Sequence, residues 1–445
     1  MHHEPGPRAH PTEGPLRRPR RSHGVAIRHG RLPRRRPRTF IVRFVVALVT
    51  VAMVSTASVA AYAVLDTVRS IKPGIHLVTA KGKSLTAQNV ATVGAESGAV
   101  NILLAGTDTR TGQGGQFSTQ DELSGSSGAG SNDVTMVLHV SSDHQHAEVI
   151  SIPRDLMVPI PECPGPNGGT VPATDQAMFN TTLSRGGLSC IVLTAEALTG
   201  LTISDAALIS FDGVIAMSNA VGGVTVCLAT PLDDPYVGLN LPAGTQTLVG
   251  AQALAFVRSR HGIGDGSDLG RISNQQLFLS ALLRKMTSAG VLSNPLTLFQ
   301  LAHAAVTNVQ LSDTLTQPTT LVSLALTLKT VSLSNIVFLQ YPAVADPDDP
   351  NRVVPATYAA GVLKSALQND APVTLTGKLG SGTVAAPGAT PAPTGTAAPT
   401  PTAAPTPAPT GTAAVPSPAP TSTDVALPSS VTGQTAAQQT CTKGN

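Results

Sequence analysis

The chain has 445 residues, of which 41% are hydrophobic and 12% charged, with 41 glycines, 36 prolines and four cysteines. Its formal net charge of +3 is unevenly spread: residues 1–43 hold twelve arginines against two glutamates, about +10, which leaves the rest of the chain at about −7. No aromatic residues alternate with these arginines and no fold surrounds them, which argues against a nucleic-acid partner, and the absence of a CxxC pattern argues against zinc or dithiol redox chemistry.

Residues 1–43 read as a disordered basic tail. Residues 44–65 follow without a single charge. At ~1.5 Å per helical residue such a segment spans the ~30 Å hydrocarbon core of a bilayer. The preceding arginines would hold residues 1–43 in the cytoplasm against anionic lipid and place everything after Leu65 outside. The rival is a cleaved signal peptide, whose apolar region is usually shorter, with Ala57 to Ala61 imitating a cleavage site. Residues 66–98 read as an extracytoplasmic linker.

Residues 99–370 form one expected domain, long enough for a well-formed core. Residues 100–105, 134–140 and 147–152 are short β-branched and apolar runs, read as three strands. The turn 141–146 makes the second and third an antiparallel hairpin. If the first pair is also antiparallel, Asp108, Asp133, Arg154 and Asp155 all meet at one rim of the sheet. Helices are expected at about 187–200, closed by Gly200, and at about 211–221, then a strand near 224–228. Residues 248–257 read as a helical turn running into a strand, on which Arg258 and Arg260 share a face. A last helix is capped by Asp268, carries Leu277, Leu279, Leu282, Leu283 and Met286 on its apolar side, and ends at Gly290. Arg271 and Gln275 lie four apart on its first turns, where the helix N-terminus favours an anion. Alternating helices and strands indicate an α/β or α+β fold. Residues 371–445, rich in Ala, Pro and Thr, read as a disordered tail.

An extracytoplasmic domain favours disulfides, and four cysteines allow three full pairings. Cys163–Cys190 is favoured because the two lie near each other in loop-like sequence. Cys227 sits in an apolar run and reads as a buried thiol, and Cys441 stands alone.

Two acids and four arginines at one rim suit a magnesium-bridged pyrophosphate. The guanidinium fork grips phosphate oxygens better than an ammonium does, and Mg²⁺ binds through one or two carboxylates plus phosphate oxygens and water. Asp108 is also a candidate base for an incoming hydroxyl. Taken singly, each residue has a plainer reading: Asp108 as a turn residue, Arg154–Asp155 as a local ion pair, Arg271 and Gln275 as solvated helix positions, and His261 as an ordinary loop residue.

Several segments together carry a family likeness: NILLAGTDTR (101–110), SNDVTMVLHV (131–140), VISIPRDLMVPIP (149–161), FNTTLSRGG (179–187) and the long block 241–285 with its Arg-x-Arg and Asp-x-x-Arg-x-x-x-Gln spacing. On these residues the chain resembles the LytR-CpsA-Psr family of membrane-anchored cell-wall glycopolymer transferases, of actinobacterial type. The resemblance implies a three-layer α/β/α domain around a mixed sheet, with an apolar pocket for a polyprenyl tail. It implies transfer of a glycopolymer from a polyprenyl pyrophosphate to peptidoglycan, at the C6 hydroxyl of N-acetylmuramic acid, with polyprenyl phosphate released. Asp108 and Asp133 fall where the family holds Mg²⁺ or Mn²⁺. Arg154, Arg258, Arg260, Arg271 and Gln275 fall where it grips the pyrophosphate, and Asp108 and the four arginines form the implied catalytic set. The chain departs from the family's common Arg-Ser-Asp at Ser131-Asn132-Asp133 and from Lys-Ile-Asn at Met178-Phe179-Asn180, with Arg185 as a candidate substitute cation. A lipid pyrophosphatase and a non-catalytic envelope regulator are the alternative functions.

Overall fold

The computed structural model describes residues 41–51, 53–55, 58, 73–78, 95–111, 113, 130–165, 168–288, 295–389 and 424–445. The basic tail up to residue 40, most of the 66–98 linker and much of the 44–65 segment lie outside these. Residues 41–51 and 53–55 are helical, and among the described residues no helix is long and apolar enough to cross a membrane. The chain divides into two compact units, Met1–Ala63 and Val64–Asn445.

The second unit is built on a seven-stranded mixed sheet. Its leading strands are β1 (Val100–Thr107), β2 (Asn132–Val140) and β3 (Ala147–Ile152), each β-branched and apolar as expected. After several short strands come α1 (Thr182–Thr199), β4 (Asp205–Ile209) and α2 (Phe211–Ala220). A second, four-stranded sheet begins with β5 (Val224–Leu228), and a small hairpin pairs β6 (Leu232–Asp234) with β7 (Leu239–Leu241). The strand β8 (Gly244–Leu248) then precedes two helices, α3 (Ala251–Arg258) and α4 (Asp268–Thr287). The remaining elements used below are β9 (Val309–Leu311), β10 (Ile336–Gln340), β11 (Ala343–Ala345), β12 (Val353–Pro355), α5 (Thr357–Gln368), β13 (Thr383–Ala385), β14 (Gly433–Thr435) and β15 (Thr440–Thr442).

The large sheet runs β9-β4-β1-β2-β3-β10-β14. Both β1–β2 and β2–β3 are antiparallel, whereas β1–β4 and β3–β10 are parallel. Period-two alternation sends Leu103, Ala105, Val137 and Ile150 into one core with Leu188 and Ile191 of α1 and Leu363 of α5. Ile102, Leu104, Met136 and Val149 face the other way, toward Leu279 and Leu283 of α4. Helices therefore cover both faces of a mixed α/β sheet.

Three expectations are corrected. First, residues 251–258 are helix rather than strand. Gly250 turns the chain at φ 58°, a left-handed value that suits glycine, and the following Ala-Gln-Ala-Leu-Ala run consists of good helix formers. Arg258 therefore ends a helix, and Arg260 lies beyond its cap instead of sharing a strand face with it. Second, Ser267 rather than Asp268 caps α4, accepting a hydrogen bond from the Gly270 amide, and the helix ends at Thr287, before Gly290.

Third, the segment after residue 370 is not simply a disordered tail. Residues 371–389 and 424–445 are folded, and only 390–423 lie outside the described residues. β14 adds an edge strand to the central sheet against β10, and β15 sits between β5 and β13 in the second sheet. Cys441 is disulfide-bonded to Cys227, so the buried thiol and the lone cysteine are partners; no free cysteine occurs among the described residues. Cys163–Cys190 forms as expected, although Cys190 lies within α1 rather than in a loop.

A candidate phosphate-binding site at the sheet rim

The antiparallel order of β1, β2 and β3 brings Asp108, Asp133 and Arg154 to one end of the sheet. A register shift at Gly106/Thr107 sets Thr107 opposite Asn132, and Ile152 pairs with Thr135. The Asp108 carboxylate accepts the Ser131 amide at 2.6 Å, and the Asp108 amide donates to the Ser131 carbonyl. Gly130 makes this closure possible: its φ is +71°, and a Cβ there would meet the Asp108 carboxylate and the Thr109 amide at 2.6 Å.

Arg154 Nη1 donates to Asp133 Oδ1 at 2.9 Å, and its Nε lies 3.4 Å from Asp268 and 3.8 Å from Asp155. From α4, Arg271 Nη2 reaches the Asp133 carbonyl at 2.9 Å and the Asp268 carboxylate at 2.5 Å. Asp268 thus ties the two arginines together. Burial works against charge on Arg154, yet Asp133, Asp268 and Asp155 outweigh it and push its pKa up. Burial also raises the Asp155 carboxyl, with Asp268 adding to the effect and Arg154, Arg352 and Arg260 opposing it.

Arg258 lies at the end of α3 with its Cζ 4.2 Å above the centre of the Phe211 ring, a cation–π contact that holds the guanidinium toward α2. Gln275 donates to the Val257 carbonyl at 2.9 Å, bracing α3 against α4. Arg260 stands on the loop between them, where its Nε donates to the Gly266 carbonyl. That loop hangs on one fully buried carboxylate. Asp234 accepts hydrogen bonds from Ser259 Oγ at 2.7 Å and from the Arg260 and Gly262 amides at 3.0 and 3.2 Å. Burial would raise its pKa, but the bonds from Ser259, Gly262, Arg260 and Tyr236 hold it below the ordinary aspartate value.

Asp133, Arg258, Arg271 and Gln275 line a cavity of about 230 Å³ whose remaining walls are largely apolar, among them Val134, Phe211, Leu254, Phe278 and Leu282. Arg154, Arg260 and Asp108 do not line the cavity. Arg185 does not line the cavity, and its guanidinium donates to the Pro172 carbonyl.

At the rim, Arg154 Nε and Arg271 Nε are buried donors without a hydrogen-bond partner, and Asn132 Oδ1 and Asp268 Oδ2 are buried acceptors without one. Such groups cost about 1–3 kcal/mol each unless a bound group satisfies them. Orphaned donors beside orphaned acceptors suit an anion carried together with a cation. No cluster of three or more His, Cys, Asp or Glu with metal-ligand geometry occurs among the described residues.

Sequence reading placed Asp155 at this rim, read Asp268 only as a helix cap, and missed Asp234 and Arg352. The pairing of Asp268 was detectable as an acid three residues before Arg271 on one helix, the spacing of an intrahelical ion pair. Asp234 and Arg352 come from elements remote in sequence; Arg352, on the loop joining β11 and β12, lies 3.8 Å from Asp155.

The chain matches the LytR_cpsA_psr family over residues 69–370, more than half its length, and belongs to that family. It is 31% identical over 324 residues to the cell wall biosynthesis protein LcpA of Corynebacterium glutamicum, covering 68% of this chain and 60% of that protein. It is 31% identical over 193 residues to the polyisoprenyl-teichoic acid–peptidoglycan teichoic acid transferase TagU of Oceanobacillus iheyensis, covering 43% of this chain and 53% of that one. The chain therefore spans less than two thirds of these relatives' own length. Among solved structures it is similar to the LytR-Csp2A-Psr enzyme from Actinomyces oris, with a TM-score of 0.47 and 22% identity over 66% of this chain and 96% of that one.

Proposed function

We propose that the chain is a membrane-anchored phosphotransferase that moves a glycopolymer from a polyprenyl pyrophosphate carrier to a hydroxyl of peptidoglycan, the C6 hydroxyl of N-acetylmuramic acid, and releases polyprenyl phosphate. The observation that carries this reading is the largely apolar cavity whose charged and amide lining is Asp133, Arg258, Arg271 and Gln275. An amphiphile with an apolar tail and a doubly phosphorylated head matches both parts. The names of relatives such as TagU support the same direction.

In this mechanism the lipid tail occupies the cavity and the arginines bind the pyrophosphate oxygens. Arg258 and Arg271 line the cavity, whereas Arg154 and Arg260 do not. The acceptor oxygen attacks the phosphorus that carries the sugar, the bond from that phosphorus to the bridging oxygen breaks, and polyprenyl phosphate departs with the electron pair. The guanidinium groups stabilise the charge that builds on the bridging and non-bridging oxygens. The acceptor proton passes to a carboxylate, for which Asp108 is the candidate. The donor set fits a hard divalent cation: Asp108 and Asp133 would hold Mg²⁺ or Mn²⁺, supported by the orphaned Asn132 and Asp268 oxygens. When bound, the metal supplies Lewis-acid stabilisation of the phosphate charge. Residues 1–43 would remain cytoplasmic, with the catalytic domain outside.

The test follows lipid phosphate release and glycan attachment together, using the full chain, a short glycan on a polyprenyl pyrophosphate and peptidoglycan oligomers, with and without Mg²⁺. Metal-dependent attachment is the expected result, and Asp108→Ala should remove both activity and the metal requirement. Release without attachment would instead identify a lipid pyrophosphatase. Neither signal, with lipid still bound, would identify a non-catalytic binder.

A further inference from the structure

The transferase reading gives the site a direction. Asp133, Arg258, Arg271 and Gln275 line the cavity that would take the tail, while Arg154, Asp155 and Arg260 lie next to it without lining it. On that reading the saccharide at the other end of the pyrophosphate lies outside the cavity, on the side of Arg154 and Arg260.

The residue after Arg260 is His261, which is exposed. Its ring meets that of Tyr236, with centroids 4.4 Å apart and planes tilted by 39°. Tyr236 is 78% exposed, at the turn of the β6–β7 hairpin. The backbone that carries both rings is anchored at one point. The buried Asp234 carboxylate accepts the Tyr236 amide at 3.2 Å through one oxygen and the Arg260 and Gly262 amides through the other. One side chain thus sets the backbone of the tyrosine, the histidine and the arginine together. The hairpin is tied further by Asn240 Nδ2 donating to Asp233 at 3.2 Å. An aromatic pair held in place yet left facing solvent offers a flat apolar surface with polar tips and little ordering cost on binding.

We propose that Tyr236 and His261 form a sugar-stacking subsite for the saccharide joined to the donor pyrophosphate. A pyranose suits the pair: its C–H face lies on the tyrosine ring, and its hydroxyls reach the imidazole and the phenol. The surroundings disfavour the other parts of the donor. A phosphate is better served by Arg260 than by neutral rings, and a lipid would need apolar area where Asp233, Pro235 and Asn240 are exposed instead. This subsite rests on the transferase reading.

The test is titration calorimetry on the full chain in detergent with Mg²⁺, comparing farnesyl pyrophosphate with the same lipid bearing a disaccharide. Wild type should bind the sugar-bearing lipid more tightly by about tenfold, the scale of one good aromatic contact. Tyr236→Leu should lose that preference while binding farnesyl pyrophosphate as before, and Tyr236→Phe should keep it. Tyr358, also 78% exposed but on α5, provides the matched control, and Tyr358→Leu should keep the preference. The subsite is overturned if wild type binds both lipids alike, if Tyr236→Leu weakens both equally or neither, or if Tyr358→Leu has the same effect. If wild type binds neither lipid, the transferase reading fails and takes the subsite with it.

Discussion

The Cys227–Cys441 disulfide ties β15 to β5, and the residues just after Cys441 hydrogen-bond to the loop that presents Arg260, so breaking it should affect stability and site together. The two cysteines are 214 residues apart. Closing a loop of that length removes unfolded-chain entropy worth about 5 kcal/mol, against about 3.5 kcal/mol for Cys163–Cys190, whose separation is 27. Measured disulfide contributions are commonly about 2–4 kcal/mol, so Cys441→Ser should lower the Tm of a domain this size by about 4–8 °C. The strand released is β15. The Lys443 carbonyl accepts the Gly264 amide, the Asn445 amide donates to the Gly262 carbonyl, and Thr442 Oγ1 donates to Asn274 on α4 at 2.6 Å. Activity should therefore fall at temperatures where the variant is still folded. The assay counts thiols first: the oxidised protein should show none, and the reduced, unfolded protein four. Thermal unfolding and lipid phosphate release of wild type and variant follow. Free thiols in the oxidised protein, or a Cys441→Ser variant with unchanged Tm and unchanged release, would refute the clasp.

Arg154→Ala and Arg260→Ala should each lower turnover by about 100-fold or more with the fold retained, because each removes a cation aimed at developing phosphate charge; full activity in either, measured as polyprenyl phosphate release, would remove that residue from the site. Asp234→Ala leaves buried backbone amides and the Ser259 hydroxyl without an acceptor, at about 1–3 kcal/mol for each group left unsatisfied. It should weaken binding of farnesyl pyrophosphate through Arg260, and unchanged affinity in calorimetry would contradict the anchoring role. At the opposite end of the sheet, His139 lies between Asn101 at 2.7 Å and Asp370 at 3.1 Å. Burial depresses its pKa despite Glu148 and Asp370, whereas His146 is raised by Glu148 against its own burial. A depressed histidine contributes stability that is present above its unfolded pKa of about 6.5 and is lost as pH falls below that toward the folded value. The Tm advantage of wild type over His139→Gln should therefore shrink between pH 7 and pH 5, and an advantage constant across that range would disprove the assignment.

The parts of the site legible in sequence were those fixed by local periodicity and chain direction. Three short apolar runs with one tight turn put Asp108, Asp133 and Arg154 at one rim once the first pair is antiparallel, as it is, because antiparallel strands return the chain to the same end. The four-residue spacing of Arg271 and Gln275 survived for the same reason: a helix fixes which side chains share a face, wherever it starts. What failed was assignment by composition. The run from Ala251 to Val257 is apolar enough for a strand, and only helix propensity after a glycine turn decides it. The last 22 residues look too polar to bury a core, yet they fold because they add to edges that already exist. β14 needs only the backbone of β10, and β15 only that of β5, with the disulfide removing the entropy that would otherwise keep it away. A segment that completes another element's hydrogen bonding does not need its own hydrophobic pattern, so no pattern announces it. The same logic hid Asp234. Its importance comes from four hydrogen-bond donors, three of them on a loop far along the chain, and the second of two adjacent aspartates has no periodicity from which those donors could be inferred. The arginines could be found from sequence because phosphate chemistry requires their charge; the groups that aim them had to be found in three dimensions.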